Sequence, residues 1–479
     1  MRHHNETFIG GAWSPPVGKE IRELVNPATE EVFATVRHGN GIDVDRAVSS
    51  ARQAFASFST TSKAERIALL RRILEELEAR EQAFTDAAVN ELGNPVSDKF
   101  NFTASLASVQ HAISTLSNYE FETSVAGHTV RREAIGVCGL ITAWNRPLQL
   151  PCTKVVFALA AGCTVVLKPS EFTPVSALLL AEALEAAGVP KGVFNLVIGD
   201  GLTVGKAIVE HLAIDMISFT GSTRAGTSIS QGAAHTIKRV GLELGGKSAN
   251  LILPDADLRA AVAWNVTRGF GNAGQSCHAP TRVLVHRDQL RKVEDLFKEE
   301  VAKVVVGDPA DPSTMVGPVV NEAQFSMVQT YIRLGLESGC RLVCGGPGRP
   351  EGLDKGYYIR PTVFTDVKPD DRISQEEIFG PVLAIIPYHN VDEAIGIANG
   401  TLYGLAAYLF TGNTRDAGDI GRQLRAGRVF LNGAAANPSL PMGGYKRSGN
   451  GREMGVWGLE EYLEVKALVG FGVEEVPSE

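Results

Sequence analysis

From Ile135 onward, short runs of consecutive apolar residues alternate with longer segments of helical spacing. Val137-Cys138-Gly139-Leu140-Ile141-Thr142 predicts a short buried strand and Pro151 to Ala161 a helix. Thr164-Val165-Val166-Leu167 predicts a second strand and Thr173 to Ala187 a second helix. Phe194-Asn195-Leu196-Val197 and Met216-Ile217-Ser218-Phe219 predict two more strands, followed by helices over Leu202 to His211 and Ser222 to Ala234. Val240 to Leu244 is a fifth strand. This alternation is that of a doubly wound, mostly parallel sheet. Such sheets bind ligands at the carboxyl ends of their strands, where Lys168, Gly221 and Glu243 fall.

Ahead of this block, residues 1 to about 40 read as short strands with turns. Asp43 is placed to cap a helix running to about Phe58. Ile67, Leu70, Ile73, Leu74 and Leu77 give a helix from about Ser62 to Arg80, and further helices cover about 81–92 and 95–118. A second α/β block runs from about Lys247 to Leu431. Its clearest strands are Arg282-Val283-Leu284-Val285, Val382 to Pro387 and Arg428 to Leu431, with a Gly/Pro-rich loop from Gly345 to Gly356. The tail from Glu460 to Phe471 has strand character.

With 479 residues the chain needs more than one core. Its 44% hydrophobic and 21% charged residues exclude long disorder. A net charge of −8 disfavours a nucleic-acid partner, and no apolar run reaches the roughly 20 residues of a membrane span. The start Met1-Arg2-His3-His4-Asn5-Glu6 is polar and no apolar signal core follows it, so none is expected here. Six cysteines in so long a chain make no disulfide framework. Cys340 and Cys344 lack the companions of a zinc site, so no metal is expected. A cytoplasmic location suits a working thiol.

The chemistry concentrates in three segments. Cys277 follows Gly274-Gln275-Ser276 in a loop-like setting. As a thiolate it is a nucleophile for an aldehyde carbon, forming a hemithioacetal and, after hydride departure, a thioester. Glu243, at a strand end before Gly245-Gly246, is a carboxylate base for the thiol or for a hydrolytic water. Asn145, in Ala143-Trp144-Asn145-Arg146-Pro147, offers an uncharged donor to an oxyanion. Read by itself, Asn145 equally suits an asparagine holding its own turn. Lys168-Pro169-Ser170-Glu171 closes a strand with a cation for ribose or phosphate and a carboxylate for ribose hydroxyls. That carboxylate would repel a 2′-phosphate. The other reading is a solvated helix start with a dipole-favoured Glu. Phe219-Thr220-Gly221-Ser222 leads through a glycine turn into a helix whose first N–H groups suit a pyrophosphate. Gly199-Asp200-Gly201 with Gly205 reads as a turn.

Together with Glu377-Ile378-Phe379-Gly380-Pro381 and Gly443-Gly444-Tyr445-Lys446-Arg447-Ser448-Gly449, these motifs make the chain resemble the NAD(P)-dependent aldehyde dehydrogenase superfamily, over essentially its whole length. The resemblance implies Cys277 as nucleophile, Glu243 as general base and an oxyanion hole from the Asn145 side chain and the Cys277 N–H. Lys154 and Glu453 match positions of a proton relay. It implies NAD, preferred over NADP, held by Ile141, Trp144, Lys168, Ser170, Glu171, Gly201, Gly205, Phe219, Gly221, Ser222, Leu244, Gly245, Glu377 and Phe379. The implied fold has a Rossmann-like cofactor domain (1–115 and 135–246) and an α/β catalytic domain (247–461). A small β oligomerisation flap (116–134 and 462–475) completes it, in a homodimer or homotetramer.

Where the family commonly has an aromatic residue after Trp-Asn, this chain has Arg146. By resemblance the substrate wall comprises Arg146, Gln149, Leu150, Thr153, Ser276, His278, Asn437 and Met442, a more polar lining than aliphatic-aldehyde enzymes show. Arg146 either engages an acceptor on the far end of the aldehyde or pairs internally with a nearby Asp or Glu. The subgroup it most resembles acts on catabolic oxo-acid or aromatic aldehydes. Three other activities are distinguishable: a CoA-acylating semialdehyde dehydrogenase, which Glu243 disfavours; a thiol esterase needing no NAD; and a non-catalytic dinucleotide-binding protein.

Overall fold

A computed structural model describes residues 2–471. Met1 and the stretch 472–475 of the expected flap lie outside the described residues. The first of two seven-stranded sheets runs, edge to edge, Arg239–Glu243, Met216–Thr220, Val137–Ile141, Thr164–Lys168, Phe194–Leu196, Thr7–Ile9 and Ala12–Ser14. The first five strands are parallel, and the N-terminal hairpin adds two antiparallel strands. From Val137–Ile141 the chain first builds outward through Thr164–Lys168 to Phe194–Leu196. It then returns to add Met216–Thr220 and Arg239–Glu243 on the other side. The crevice of such a sheet opens at this reversal, at the strands' carboxyl ends, which carry Ile141, Lys168, Thr220 and Glu243.

The helix Gln149–Ala161 is buried on every side, as expected of a helix with no polar face. It packs between the sheet and the helix Phe100–Asn118. That neighbour starts five residues later than its apolar pattern suggests. The first helix, Gly41–Phe58, is capped by Asn40, not Asp43. Asp43 sits at the third helical position, where its carboxylate returns to the Asn40 N–H and closes a capping box.

The second sheet runs Arg341–Cys344, Thr362–Thr365, Val382–Tyr388, Arg282–His286, Ala249–Ile252, Ala406–Phe410 and Arg428–Leu431. It is parallel except at its first edge and has its own apolar core. A third sheet pairs Glu122–Val125 and His128–Ala134 with Leu463–Leu468. Among the described residues no helix is long and apolar enough to cross a membrane.

Candidate active site

The loop carrying Cys277 is held in an unusual backbone shape. After the helix Leu258–Phe270, three successive residues are left-handed: Asn272 (φ 53°), Ala273 (φ 53°) and Gly274 (φ 71°). Non-glycine residues there cost of order 1–3 kcal/mol each, so neighbours must over-determine them. The Asn272 amide donates to the carbonyls of Asn145 (3.0 Å) and Gln275 (3.1 Å). The Gln275 amide donates back to the Asn272 carbonyl, and its oxygen accepts from the Val320 N–H at 2.9 Å. A side chain at position 274 would run into the Gly380 carbonyl. Asn272 and Gln275 are therefore positioning residues that sequence reading passed over. Two amides flanking a glycine, five and two residues before the thiol, were the available signal.

Asn145 is 5% exposed. One N–H of its amide donates to Gln275 O at 3.1 Å, which ties it to the cysteine loop and leaves its second N–H for a ligand. Burial, with the charges of Glu377 and Glu243 behind it, pushes the Cys277 thiol up to about 12. The neighbouring His278 ring lies 3.8 Å from the Cys277 sulfur and 3.4 Å from Ser276 Oγ. Burial first, then Arg268, Arg146 and Arg428, pull it down to about 3. His278 is therefore neutral near pH 7 and is not the cation that would stabilise a thiolate.

Glu243 ends its strand inside the same cavity. It is 4% exposed and neither carboxylate oxygen has a hydrogen-bond partner. The segment around Ser448 clamps its flank: Leu244 N donates to Ser448 O at 2.9 Å, and Ser448 Oγ donates to Gly245 O at 2.7 Å. Burial raises the Glu243 pKa well above the usual carboxylate range, and the adjacent Glu453 raises it further. Lys154 opposes this. Its ammonium, 1% exposed, forms an ion pair with Glu453 and donates to Ser218 Oγ at 2.8 Å. The strand end, a buried helix and a C-terminal loop thus bring Glu243, Lys154 and Glu453 together, though they lie far apart in sequence.

A cavity of about 660 Å³ joins these groups. On one side it is lined by Trp144, Thr220, Gly221, Ser222, Leu244, Gly245, Glu377 and Phe379. Trp144 and Phe379 meet edge to face at 5.2 Å between ring centroids. Glu377 accepts from the Gly246 N–H at 3.1 Å, and burial raises it to about 7. Gly245 has no room for a side chain, because one would occupy the Glu377 carboxylate. Ser222 caps the helix Thr223–Ala233 and opens its first turn towards this side. Lys168, Ser170, Glu171, Gly201 and Gly205 are not in the cavity lining: the Lys168 ammonium reaches Glu171 at 3.2 Å and its side chain lies against Gly205, in a segment Gly201–Gly205 that is one π-helical turn where a plain turn was expected. The Lys168–Glu171 pair, the helix N-terminus at Ser222 with the unpartnered Thr220 hydroxyl beside it, and the Glu377 carboxylate are groups that fit the hydroxyls and phosphates of a dinucleotide. Ile141 and Phe219 sit behind this surface in the core.

The other side of the cavity departs from expectation. Arg146, Gln149, Leu150, Ser276, His278 and Met442 line it. Thr153 does not: it lies behind the wall, its hydroxyl 2.7 Å from that of Ser108 and accepting from Gln149. Asn437 does not either. It is exposed and accepts from the Ser439 N–H, while Ala436 and Pro438 face inward. Much of the wall comes from one face of the helix Phe100–Asn118, through Phe100, Thr103, Ala104 and Ala107. These recur at helical spacing, a signal present in the sequence but without a sign of which face meets the cavity. Arg146 pairs with Asp98 at 3.4 Å and lies over the Phe100 ring, 4.7 Å from its centroid. The wall is accordingly less polar than expected.

A model of the aldehyde dehydrogenase family matches residues 13–468. The chain is 48% identical to a 3-succinoylsemialdehyde-pyridine dehydrogenase of a Pseudomonas species, over 98% of this chain and 99% of that protein. It superposes on a cysteine-to-alanine mutant of aldehyde dehydrogenase C of Pseudomonas syringae, complexed with NAD+ and octanal. That match has a TM-score of 0.97 and 49% identity, over 99% of this chain and 98% of that one. It also superposes on an NAD+ complex of a Mycobacterium tuberculosis aldehyde dehydrogenase, with a TM-score of 0.95 and 41% identity over 98% of each chain.

Proposed function

The chain belongs to the aldehyde dehydrogenase family, and from that premise we propose that it oxidises an aldehyde to the free carboxylic acid on Cys277, with NAD as hydride acceptor. The observation that carries this reading is the meeting of three groups on one cavity: the Cys277 thiol, the spare N–H of Asn145 and the unpartnered carboxyl of Glu243.

Glu243 takes the proton of the Cys277 thiol as the sulfur adds to the aldehyde carbon, the carbonyl electron pair moves onto oxygen, and the proton leaves through the Lys154–Glu453 pair. The second Asn145 N–H and the Cys277 N–H donate to that oxyanion, a type of contact typically worth about 3 kcal/mol at the transition state. Collapse of the oxyanion expels hydride from the same carbon and leaves a thioester. NAD, when bound, supplies the hydride-accepting ring carbon; Glu377 and the Ser222 turn would hold its nicotinamide ribose and phosphates, and Glu171 its adenosine ribose. Glu243 then takes a proton from water, the new C–O bond forms and the C–S bond breaks. A carboxyl with a raised pKa is a stronger base near neutral pH, and the Lys154–Glu453 pair beside it provides a path for its proton. In this reading residues 1–115 and 135–246 hold the dinucleotide and 247–461 carry the chemistry. The three-stranded sheet, with Val125, Val465 and Phe471 exposed, serves a homodimer or homotetramer. The six free cysteines suit the cytoplasm.

For the substrate we infer a neutral aldehyde with an apolar or aromatic body. Phe100, Ala104, Ala107 and Leu150 offer apolar surface, and Asp98 already neutralises Arg146. The similar proteins named above are consistent with this, one named for a pyridine-bearing semialdehyde and one holding octanal. The test is NADH formation across neutral aromatic, neutral aliphatic and carboxylate-bearing aldehydes, with acid and CoA-thioester products assayed. Turnover to free acid, favouring neutral aldehydes, supports the proposal. A strong preference for carboxylate-bearing aldehydes overturns the substrate reading, and a CoA-dependent product overturns the hydrolytic one.

A further inference from the structure

We propose that Glu20, His38 and Asp200 form a binding site for a divalent transition-metal ion, separate from the cavity that holds Cys277. One ligand atom from each side chain lies within 4.8 Å of the other two. His38 follows the strand Glu31–Arg37, Glu20 precedes the facing strand Ile21–Asn26, and Asp200 caps the Gly201–Gly205 turn of the first seven-stranded sheet's domain.

The backbone under the site is pinned on both sides. His38 N donates to Glu20 O at 2.8 Å, and Gly39 N donates to Ile198 O at 2.7 Å. The three side chains therefore face one another through short, fixed segments. Asp200 accepts with one carboxylate oxygen from the N–H groups of Leu202 (2.7 Å) and Thr203 (2.8 Å), and the Thr203 side chain also bonds the carboxylate, which orients the group.

The imidazole is the feature that calls for a ligand. His38 is 1% exposed, and neither ring nitrogen has a hydrogen-bond partner. The nearest carboxylate oxygen, on Glu20, is 3.8 Å from Nδ1, too far for a hydrogen bond. Buried polar groups are nearly always satisfied, so an orphaned imidazole flanked by two carboxylates is an exception. A metal ion satisfies it. With metal–nitrogen and metal–oxygen bonds of about 2.1 Å, two donors on one tetrahedral ion are about 3.4 Å apart, against 3.8 Å between His38 and Glu20 and at most 4.8 Å across the set, so binding draws the donors inward. Glu20, whose side chain is 66% exposed, is free to swing the remaining distance.

Two carboxylates neutralise the charge of a divalent ion. Arg22 acts against a cation at His38, while Glu171 adds a third nearby anion; Lys168, close to Asp200, is itself paired with Glu171. One imidazole with two carboxylates suits zinc, cobalt or nickel better than magnesium or calcium. Three ligands leave a coordination position open, so this is an exchangeable site and not a closed structural one. A bound ion would join the N-terminal strands to the Asp200 turn, next to Lys168 and Glu171.

The test is calorimetric titration of the full-length Cys277→Ala protein with zinc chloride, so that the cavity thiol does not compete. One ion should bind in this background. Glu20→Gln, at an exposed position that leaves the fold intact, should weaken it about tenfold, and His38→Asn should abolish it. Cobalt(II) should give visible d–d bands without a thiolate-to-metal band, and these should vanish in His38→Asn. Zinc affinity unchanged in Glu20→Gln and His38→Asn, or a cobalt spectrum dominated by thiolate, would place the ion on cysteines and overturn the site. If His38→Asn does not fold, Glu20→Gln alone decides.

Discussion

Exchanging the two partners of the Lys154–Glu453 pair should move one pH limb in opposite directions. Glu243 is raised by burial and by the anion of Glu453, and lowered by the cation of Lys154. Glu453→Gln removes the repelling charge and leaves Lys154 uncompensated, so both changes lower the Glu243 pKa. Lys154→Met removes the attraction and leaves Glu453 bare, so both changes raise it. A single charge at such range moves a carboxyl by roughly 1–2 units, which is about 1.4–2.7 kcal/mol. The assay is kcat against pH with saturating aldehyde and NAD, under conditions where an NADH burst shows thioester hydrolysis to be slow. The basic form of Glu243 is the active one, so the rate rises with pH through its pKa. The limb should shift acidward in Glu453→Gln and alkaline in Lys154→Met. Lys154→Met should also lose stability, by about 3–5 kcal/mol, because the buried pair is broken from one side. A limb that stays fixed in both variants, or moves alkaline in Glu453→Gln, would refute Glu243 as the titrating base.

Three further outcomes follow from the same geometry. Ala107→Phe fills the wall formed by the helix Phe100–Asn118 and should lower kcat/KM for octanal by about tenfold relative to propanal, read from steady-state kinetics. Glu171→Ala removes the carboxylate beside Lys168 and should raise kcat/KM with NADP by about tenfold or more, with a smaller loss for NAD. Glu91 accepts from the N–H groups of Val175 and Ser176 and from Ser176 Oγ, yet burial raises it to about 7. Its neutral form is favoured in the fold, so its stabilising contribution is full below about pH 4.5 and is lost as pH rises through 7. Melting temperature against pH should show this decline in the wild type and a flatter profile in Glu91→Gln.

The alternation of apolar runs with helical segments was enough to locate the parallel strands of the first sheet, because strands buried on both faces read as continuous apolar runs. Glu243 and Cys277 stood out for a different reason: each precedes or follows glycines that a tight approach requires. Arg146 shows where such reading stops. Its partner, Asp98, is 48 positions away, on a turn whose placement depends on how the helix Phe100–Asn118 packs against Gln149–Ala161. That pairing is what removes the polar character expected of the substrate wall. Thr153 and Asn437 illustrate the same gap at shorter range. A Thr on a helix buried all round can face either way, and here it serves Ser108. Asn437 turns outward because its own carboxamide oxygen is committed to the Ser439 N–H. The left-handed run Asn272-Ala273-Gly274 showed in the sequence only through its Asn and Gly, both tolerant of that conformation, since Ala rarely adopts it.

The central claim is that the reaction passes through a thioester on Cys277. It is tested by rapid quenching of the protein with octanal and NAD in the first turnover, followed by peptide mass spectrometry. An octanoyl adduct on the peptide containing Cys277 is predicted, accumulating in Glu243→Gln and absent in Cys277→Ala. NADH formation with no adduct on Cys277 in the wild type or in Glu243→Gln, or full turnover by Cys277→Ala, would contradict it.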